Sequence, residues 1–481
     1  MLFNSTTFLF FLPVFFLLYW WVFQRSVAIQ NGFILIASYV FYGWWDWRFT
    51  GLLFLTTILD FAYGFGVASE NRSRAKTFLW LSVINNLGIL GIFKYFDFFV
   101  LSFQSGLKQL GVDANLPLLE LALPVGISFY TFHGMSYVFD IYRLKQKPVT
   151  SFTSYGVFVS FFPLLVAGPI ERANHLLPQV QQKRIFRYPQ AVSGCRLILW
   201  GLFKKVVIAD NLGVIADAAF ANYSTMNGMS LLLGILAFSF QIYGDFSGYS
   251  DMALGIARLF GFELLSNFRF PYFSHNLAEF WRRWHISLSG WFRDYLYIPL
   301  GGSRNGLFQT LRNTCIVFLI SGMWHGASWN FIAWGAIHAG GFMFLMLWPQ
   351  QSAKSYAFAT RNQVIPSVSE CLNMLFTFAF VSLAWVFFRS PDLSGAVQYL
   401  RKMCSSFISN PADNFHQIHG KTLVFYIIPL VVADWYMRHN ERELKVPGQS
   451  RWLRWLIYAL LISVIGLFMY ADTSSFIYFQ F

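Results

Sequence analysis

Two histidines stand where a titratable side chain is expensive. His325 follows the apolar run Ile316 to Ile320, inside Ser321-Gly322-Met323-Trp324-His325-Gly326-Ala327-Ser328-Trp329-Asn330. An ionisable group at such depth marks a functional site by default, and a neutral imidazole can act as a general base near physiological pH. Gly322 and Gly326 leave room for backbone or substrate to come close to that ring. The competing reading is a packed histidine hydrogen-bonded to a carbonyl. His285 lies in Phe280-Trp281-Arg282-Arg283-Trp284-His285-Ile286-Ser287-Leu288-Ser289-Gly290-Trp291, whose helical spacing puts Trp281, His285 and Leu288 on one face. Its competitor is an interfacial helix anchored at headgroups by Trp and Arg, with His285 incidental. His338, inside the next apolar run, reads equally well as structural.

Other chemistries lack their signatures. There is no HExxH, and neither cysteine nor carboxylate stands at zinc-ligand spacing around His285, His325 and His338, so no metal is expected. No GxSxG elbow occurs, Gly248-Tyr249-Ser250 is no substitute, and Walker and GxGxxG phosphate loops are missing. A buried histidine without a protein nucleophile or a metal suits acyl transfer, in which the imidazole deprotonates a hydroxyl as it attacks a thioester. Such general-base help contributes about 10²–10⁴-fold, and positioning two substrates supplies much of the rest. Asp245, Ser247, Tyr249, Arg282 and Arg283 are weaker candidates for holding the donor. The first three could as well cap helices and satisfy broken backbone.

The elements that must carry these residues follow from composition. Of 481 residues, 56% are hydrophobic, 20% aromatic and only 12% charged. A soluble domain carries roughly 25% charged residues, so a soluble globular enzyme is excluded and a polytopic helical membrane bundle is expected. At about 20 residues per crossing the chain accommodates roughly 11 to 13 apolar segments, some broken or re-entrant, in one domain over 1–481. The runs lie near 6–23, 28–47, 50–69, 77–101, 120–140, 152–170, 190–209, 229–244, 309–324, 329–348, 370–388, 421–437 and 452–471. The net charge of +13 is scattered at segment ends, which suits anionic headgroups and argues against nucleic acid. Cys195, Cys315, Cys371 and Cys404 form no CxxC pair and read as small apolar residues.

Arg25 is the first charged side chain, so Met1 to Phe23 is expected to stay as a first span rather than leave as a signal peptide. Arg25, then Arg72, Arg74 and Lys76, then Arg143, Lys145 and Lys147 fall in alternate loops; the positive-inside rule puts those loops in the cytoplasm and the N-terminus outside it. The basic loop 438–454 would likewise be cytoplasmic. One stretch breaks the low-charge rule. Between Gln241 and Gly306, eleven charged residues from Asp245 to Arg304 crowd among apolar spans. They lie either on amphipathic surface helices or inside the bundle around a wet cavity, and 241–345 is the expected active-site region.

The motifs resemble those of the membrane-bound O-acyltransferase family, in its bacterial exopolysaccharide O-acetylation branch. The resemblance rests on Leu123-Pro124-Val125-Gly126-Ile127-Ser128-Phe129-Tyr130-Thr131-Phe132, Phe161-Phe162-Pro163 with Ala167-Gly168-Pro169-Ile170, Tyr243-Gly244-Asp245-Phe246-Ser247-Gly248-Tyr249-Ser250-Asp251, Phe280 to Ser289, and Trp324-His325-Gly326. It implies a helical bundle with a central funnel or tunnel. It assigns His325 to the family's invariant histidine and His285 to the second polar position. It further implies no permanently bound cofactor, acetyl-CoA or an acylated carrier as donor, a bacterial inner-membrane location, and a secreted polysaccharide or an extracytoplasmic acetyltransferase as acceptor. Polysaccharide secretion proteins would be partners. The rival activity within the family is D-alanyl transfer to teichoic acid. Outside it, a non-enzymatic transporter or a scaffold in a secretion complex would also use broken helices and buried charges, although a transporter predicts internal repeats that this sequence lacks.

Overall fold

The computed structural model describes residues 1–348, 365–409, 420–438 and 450–469. Among them the only regular structure is helical, as the apolar runs require: in lipid, a backbone that satisfies its own polar groups is a helix or a closed barrel. Several helix starts are set by side chains that accept from orphan amides, among them Ser5, Ser26, Asn71, Ser151 and Ser450. Ser367 and Glu370 form a reciprocal capping box.

The chain packs as two compact units. The first holds Met1–Ala191 and Ile256–Leu265, the second Val192–Gly255 and Ser266–Phe481. The first contains α1 (Thr6–Leu17), α2 (Val27–Gly43), α3 (Arg48–Val67), α4 (Arg72–Leu90), α5 (Phe96–Gln109), α6 (Ile127–Tyr142), α7 (Phe152–Ser160), α8 (Phe162–Leu165) and α9 (Ala173–Gln181). A buried polar pin joins α3 to α4: Asp60 accepts from Ser82 Oγ at 2.6 Å and from Asn86 Nδ2 at 2.9 Å. Glu171 is fully buried, accepts from the Leu265 amide, and contacts His175 Nδ1 at 2.7 Å.

α10 (Tyr188–Leu202) leads into the second unit, which continues through α11 (Asp210–Ala221) and most of α12 (Gly228–Leu259). It then holds α13 (Leu277–Arg283), α14 (Ile286–Phe292), α15 (Leu307–His325), α16 (Trp329–Leu347), α17 (Val368–Arg389), α18 (Leu393–Ser409), α19 (Gly420–Met437) and α20 (Arg451–Phe468). Its core is aromatic, with Trp284, Trp334, Trp385 and Tyr399 buried together with aliphatic side chains of α11 and α12. Between α10 and α11 the helix widens to π geometry over Phe203–Ala209.

Seven described helices are long and apolar enough to cross a membrane, and α2 and the helix from Thr6 to Val22 are shorter apolar ones. The count falls below the expected 11 to 13 segments because several apolar runs are broken. The run at 120–140 becomes helical only from Ile127, after Gly126 turns the chain at φ +75°, and the run at 152–170 splits where Phe161 leaves helical geometry before Pro163. Arg442 and Lys445 of the basic loop lie outside the described residues.

Candidate active site

His285 is placed by a break in the chain rather than by a helix face. Asn276 caps α13 by accepting from the Glu279 amide, and Glu279 Oε2 accepts from the His275 amide and contacts its Nδ1, both at 2.8 Å. Arg283, one turn on, donates to Glu279 Oε1 at 2.6 Å. Burial pushes the Glu279 carboxyl up, but the His275 hydrogen bond and the Arg283 charge outweigh it and hold the group below the ordinary carboxylate range. Helix α13 ends after seven residues, Trp284 is extended at φ −103°, and His285 adopts left-handed geometry at φ 42°, ψ 55° before α14 begins. The continuous helical face expected for Trp281, His285 and Leu288 is therefore not formed. The reason is pairing with residues 267–269: the Arg269 amide donates to Arg283 O and the Ile286 amide to Asn267 O, each at 2.9 Å. A side chain pays for left-handed geometry only where its surroundings over-determine it, as they do here.

The His285 imidazole is 1% exposed and walled by Phe246 at 4.7 Å and Trp324 at 5.9 Å between ring centres. Both ring nitrogens are buried without a hydrogen-bond partner. Burial lowers its pKa well below the ordinary histidine value, which keeps the ring neutral.

His325 is the last residue of α15, with Gly326 as its C-cap. Its ring contacts Trp324 at 4.9 Å, Trp334 at 5.1 Å and Phe388 at 5.2 Å. The flanking glycines serve helix packing. A methyl group on Gly322 would overlap the Phe331 carbonyl, one on Gly326 the Phe331 ring, and one on Gly335 the Phe318 carbonyl. Close approach at Gly322 and Gly326 is thus made by α16, which closes on α15 as a tight hairpin. His338 stands on the same face of α16 as Trp334, with ring centres 4.9 Å apart. Its Nδ1 accepts from Trp281 Nε1 at 3.3 Å, so the neutral ring carries its proton on Nε2, which is buried without a partner.

The weaker candidates divide. Asp245 and Ser247 belong to a buried charge network: Lys205 Nζ lies 2.8 Å from Asp210 and 2.9 Å from Asp245, while Lys204 Nζ lies 2.7 Å from Asp251 and donates to Ser247 Oγ at 2.9 Å. Close packing of α10 on α12 brings these groups together, since a methyl group on Gly201 or Gly248 would meet the other residue's carbonyl oxygen. Tyr249 is buried in α12, Arg283 is taken by Glu279, and Arg282 is exposed. Of the two placements expected for the charged stretch, burial in the bundle holds for Asp245, Glu279 and His285, whereas Arg293 and Arg304 are exposed. Tyr243 donates to Asp434 Oδ2 at 2.7 Å.

Sequence reasoning passed over Lys204, Lys205, Asp434 and Asn267. The first three carried a legible signal, being charged residues within the apolar runs 190–209 and 421–437. Asn267 carried none, and for Glu279, one of the eleven charged residues of 241–306, nothing local gave its partners His275 and Arg283.

Residues 127–386 match the model of MBOAT, the membrane-bound O-acyltransferase family. The chain is 40% identical to the probable alginate O-acetylase AlgI of Azotobacter vinelandii, over 84% of this chain and 78% of that protein. It is 35% identical to the peptidoglycan O-acetyltransferase of Helicobacter pylori, over 100% of this chain and 98% of the relative. The teichoic acid D-alanyltransferase of Streptococcus thermophilus is 31% identical, over 47% of this chain and 57% of that protein. A helical chain with membrane-length apolar helices, matched by the family model over more than half its length and by such relatives along most or all of it, belongs to the membrane-bound O-acyltransferase family.

Proposed function

We propose that this protein is a membrane O-acetyltransferase that takes acetyl from a cytoplasmic thioester, acetyl-CoA or an acylated carrier, and passes it to a polysaccharide hydroxyl outside the cytoplasmic membrane or to an extracytoplasmic transferase that serves the polymer. The observation that carries the reading is the pair of buried imidazoles against one indole, Trp324, with both nitrogens of His285 open. His325 is the general base: it takes the hydroxyl proton as that oxygen attacks the thioester carbonyl. The tetrahedral intermediate then collapses, the carbon–sulfur bond breaks, and the leaving thiolate receives the proton back from His325. His285 orients the hydroxyl or shares its proton. Atoms and charge balance without a protein-bound acyl group.

Relatives named for O-acetylation align over most or all of the chain, whereas the D-alanyltransferase aligns over about half, which favours acetyl over D-alanyl. The full-length match to a peptidoglycan O-acetyltransferase makes peptidoglycan an acceptor to assay beside alginate-type polymers. The test is transfer from radiolabelled acetyl-CoA by the purified protein, with each polymer as acceptor. Transfer by the wild type and its loss in a folded His325→Ala variant are expected; equal transfer by both removes His325 from its role. No transfer in vitro, with equal polymer acetylation in wild-type and His325→Ala cells, favours a scaffold. The expected N-terminus-out topology is checked by reporter fusions, and replacing Arg143, Lys145 and Lys147 by Glu should disturb it.

A further inference from the structure

His285 stands at the N-cap of α14, just outside regular helical geometry, and its backbone occupies a conformation that few side chains adopt unaided. On its C-terminal side the Ser289 amide donates to the His285 carbonyl at 3.0 Å as α14 begins, and Asn267 holds Ile286 and Ser287 in between. Asn267 O accepts from the Ile286 amide at 2.9 Å, and Asn267 Oδ1 accepts from Ser287 Oγ at 2.6 Å and from the Ser287 amide at 3.4 Å. The two residues that follow His285 are thereby tied to a single asparagine, which is 1% exposed. Its next neighbour, Phe268, lies against both Phe246 and Trp284, at 4.9 and 5.1 Å between ring centres, and Phe246 is a wall of the His285 ring. Asn267 Nδ2 is buried without a hydrogen-bond partner, so the amide's known bonds all run through its oxygens.

We propose that Asn267 is the positioning residue of His285: it fixes the turn that presents the imidazole, and it acts on the reaction through that ring. The inference rests on the acyl-transfer reading above. Leucine at 267 fills the space and keeps the backbone carbonyl that Ile286 bonds, but it removes the side-chain acceptor of Ser287, whereas aspartate keeps an oxygen facing Ser287.

Acetyl transfer by the full-length protein in lipid nanodiscs tests this. Asn267→Leu should lower kcat by roughly 10- to 100-fold with KM held within about threefold, the size of effect that small misplacement of a reacting group produces. Asn267→Asp should recover to within about fivefold of the wild type. The deciding measurement is the same change in a His285→Ala background, where Asn267→Leu should cost no more than about twofold, because a residue acting through His285 has nothing left to position. An equal fold loss in both backgrounds overturns the proposal, as does a folded Asn267→Leu variant with wild-type kcat. If the leucine variant does not fold, Ser287→Ala removes the same bond from its other end and should show a smaller kcat loss with the same dependence on His285. Failure of the underlying reading shows separately: His325→Ala would then transfer as the wild type does.

Discussion

His285 and His325 share a wall. The Trp324 indole lies edge-on to both imidazoles, 5.9 Å from the first and 4.9 Å from the second between ring centres, although forty residues separate them in the chain. A rigid aromatic side chain touching both rings bounds the space beside each imidazole, which matters to the acyl transfer proposed for this pair. Trp324→Leu should lower kcat by roughly 10- to 100-fold, and Trp324→Phe should lose less. Steady-state transfer kinetics on folded variants check the order, and equal loss in both would move the role from ring shape to the indole N–H.

His338 earns its place through Trp281. The bond from Trp281 Nε1 to His338 Nδ1 ties α13, which leads into His285, to α16, which packs against His325 through Trp334. His338→Gln keeps an acceptor there and His338→Leu does not. The leucine variant should be less stable by about 1–3 kcal/mol in Trp281 but not in Trp281→Phe protein, as read by thermal unfolding in detergent.

Gly322 and Gly326 should fail in a definite order. A methyl group at 322 meets a backbone carbonyl that cannot move aside, and one at 326 meets the Phe331 ring, which can. Gly322→Ala should therefore cost more than Gly326→Ala, about 1–3 kcal/mol for such overpacking, and Phe331→Leu should partly restore only Gly326→Ala. Melting temperatures of the wild type, the two alanine variants and each alanine variant combined with Phe331→Leu decide it.

The Lys205 network should behave as a paired buried charge. Lys205→Met removes the ammonium that lies against Asp245 and Asp210 and should cost about 3–5 kcal/mol, and Asp245→Asn in the same chain should restore part of it. A double-mutant cycle on thermal stability measures the recovery.

Glu279 predicts a pH dependence with a definite sign. Its folded carboxyl is held below the ordinary value by His275 and Arg283, so its contribution is present above the unfolded pKa of about 4.3 and is lost as pH falls through the lowered folded value. Glu279→Gln should be less stable than the wild type at pH 7, and the gap should close in acid. Unfolding midpoints measured at both pH values test this; a gap that stays constant would assign the effect of Glu279 to packing.

Much of this protein is written in its sequence. The scarcity of charge and the length of the apolar runs determine a helical membrane protein, since transfer to lipid depends on composition summed over about twenty residues. The burial of His325 was legible for the same reason, an ionisable group set in an apolar context, and so in principle was that of Lys204, Lys205 and Asp434. Only the tertiary structure decided how His285 is presented. A periodicity of 3.6 describes a segment as though its backbone were regular, and 280–291 looks helical by that measure. The pairing of 283–287 with 267–269 breaks the helix at Trp284 and His285, and hydrogen bonds between segments some twenty residues apart leave no local signature. The two glycines beside His325 show the same division: the sequence announces close approach, and the fold names α16 as what approaches.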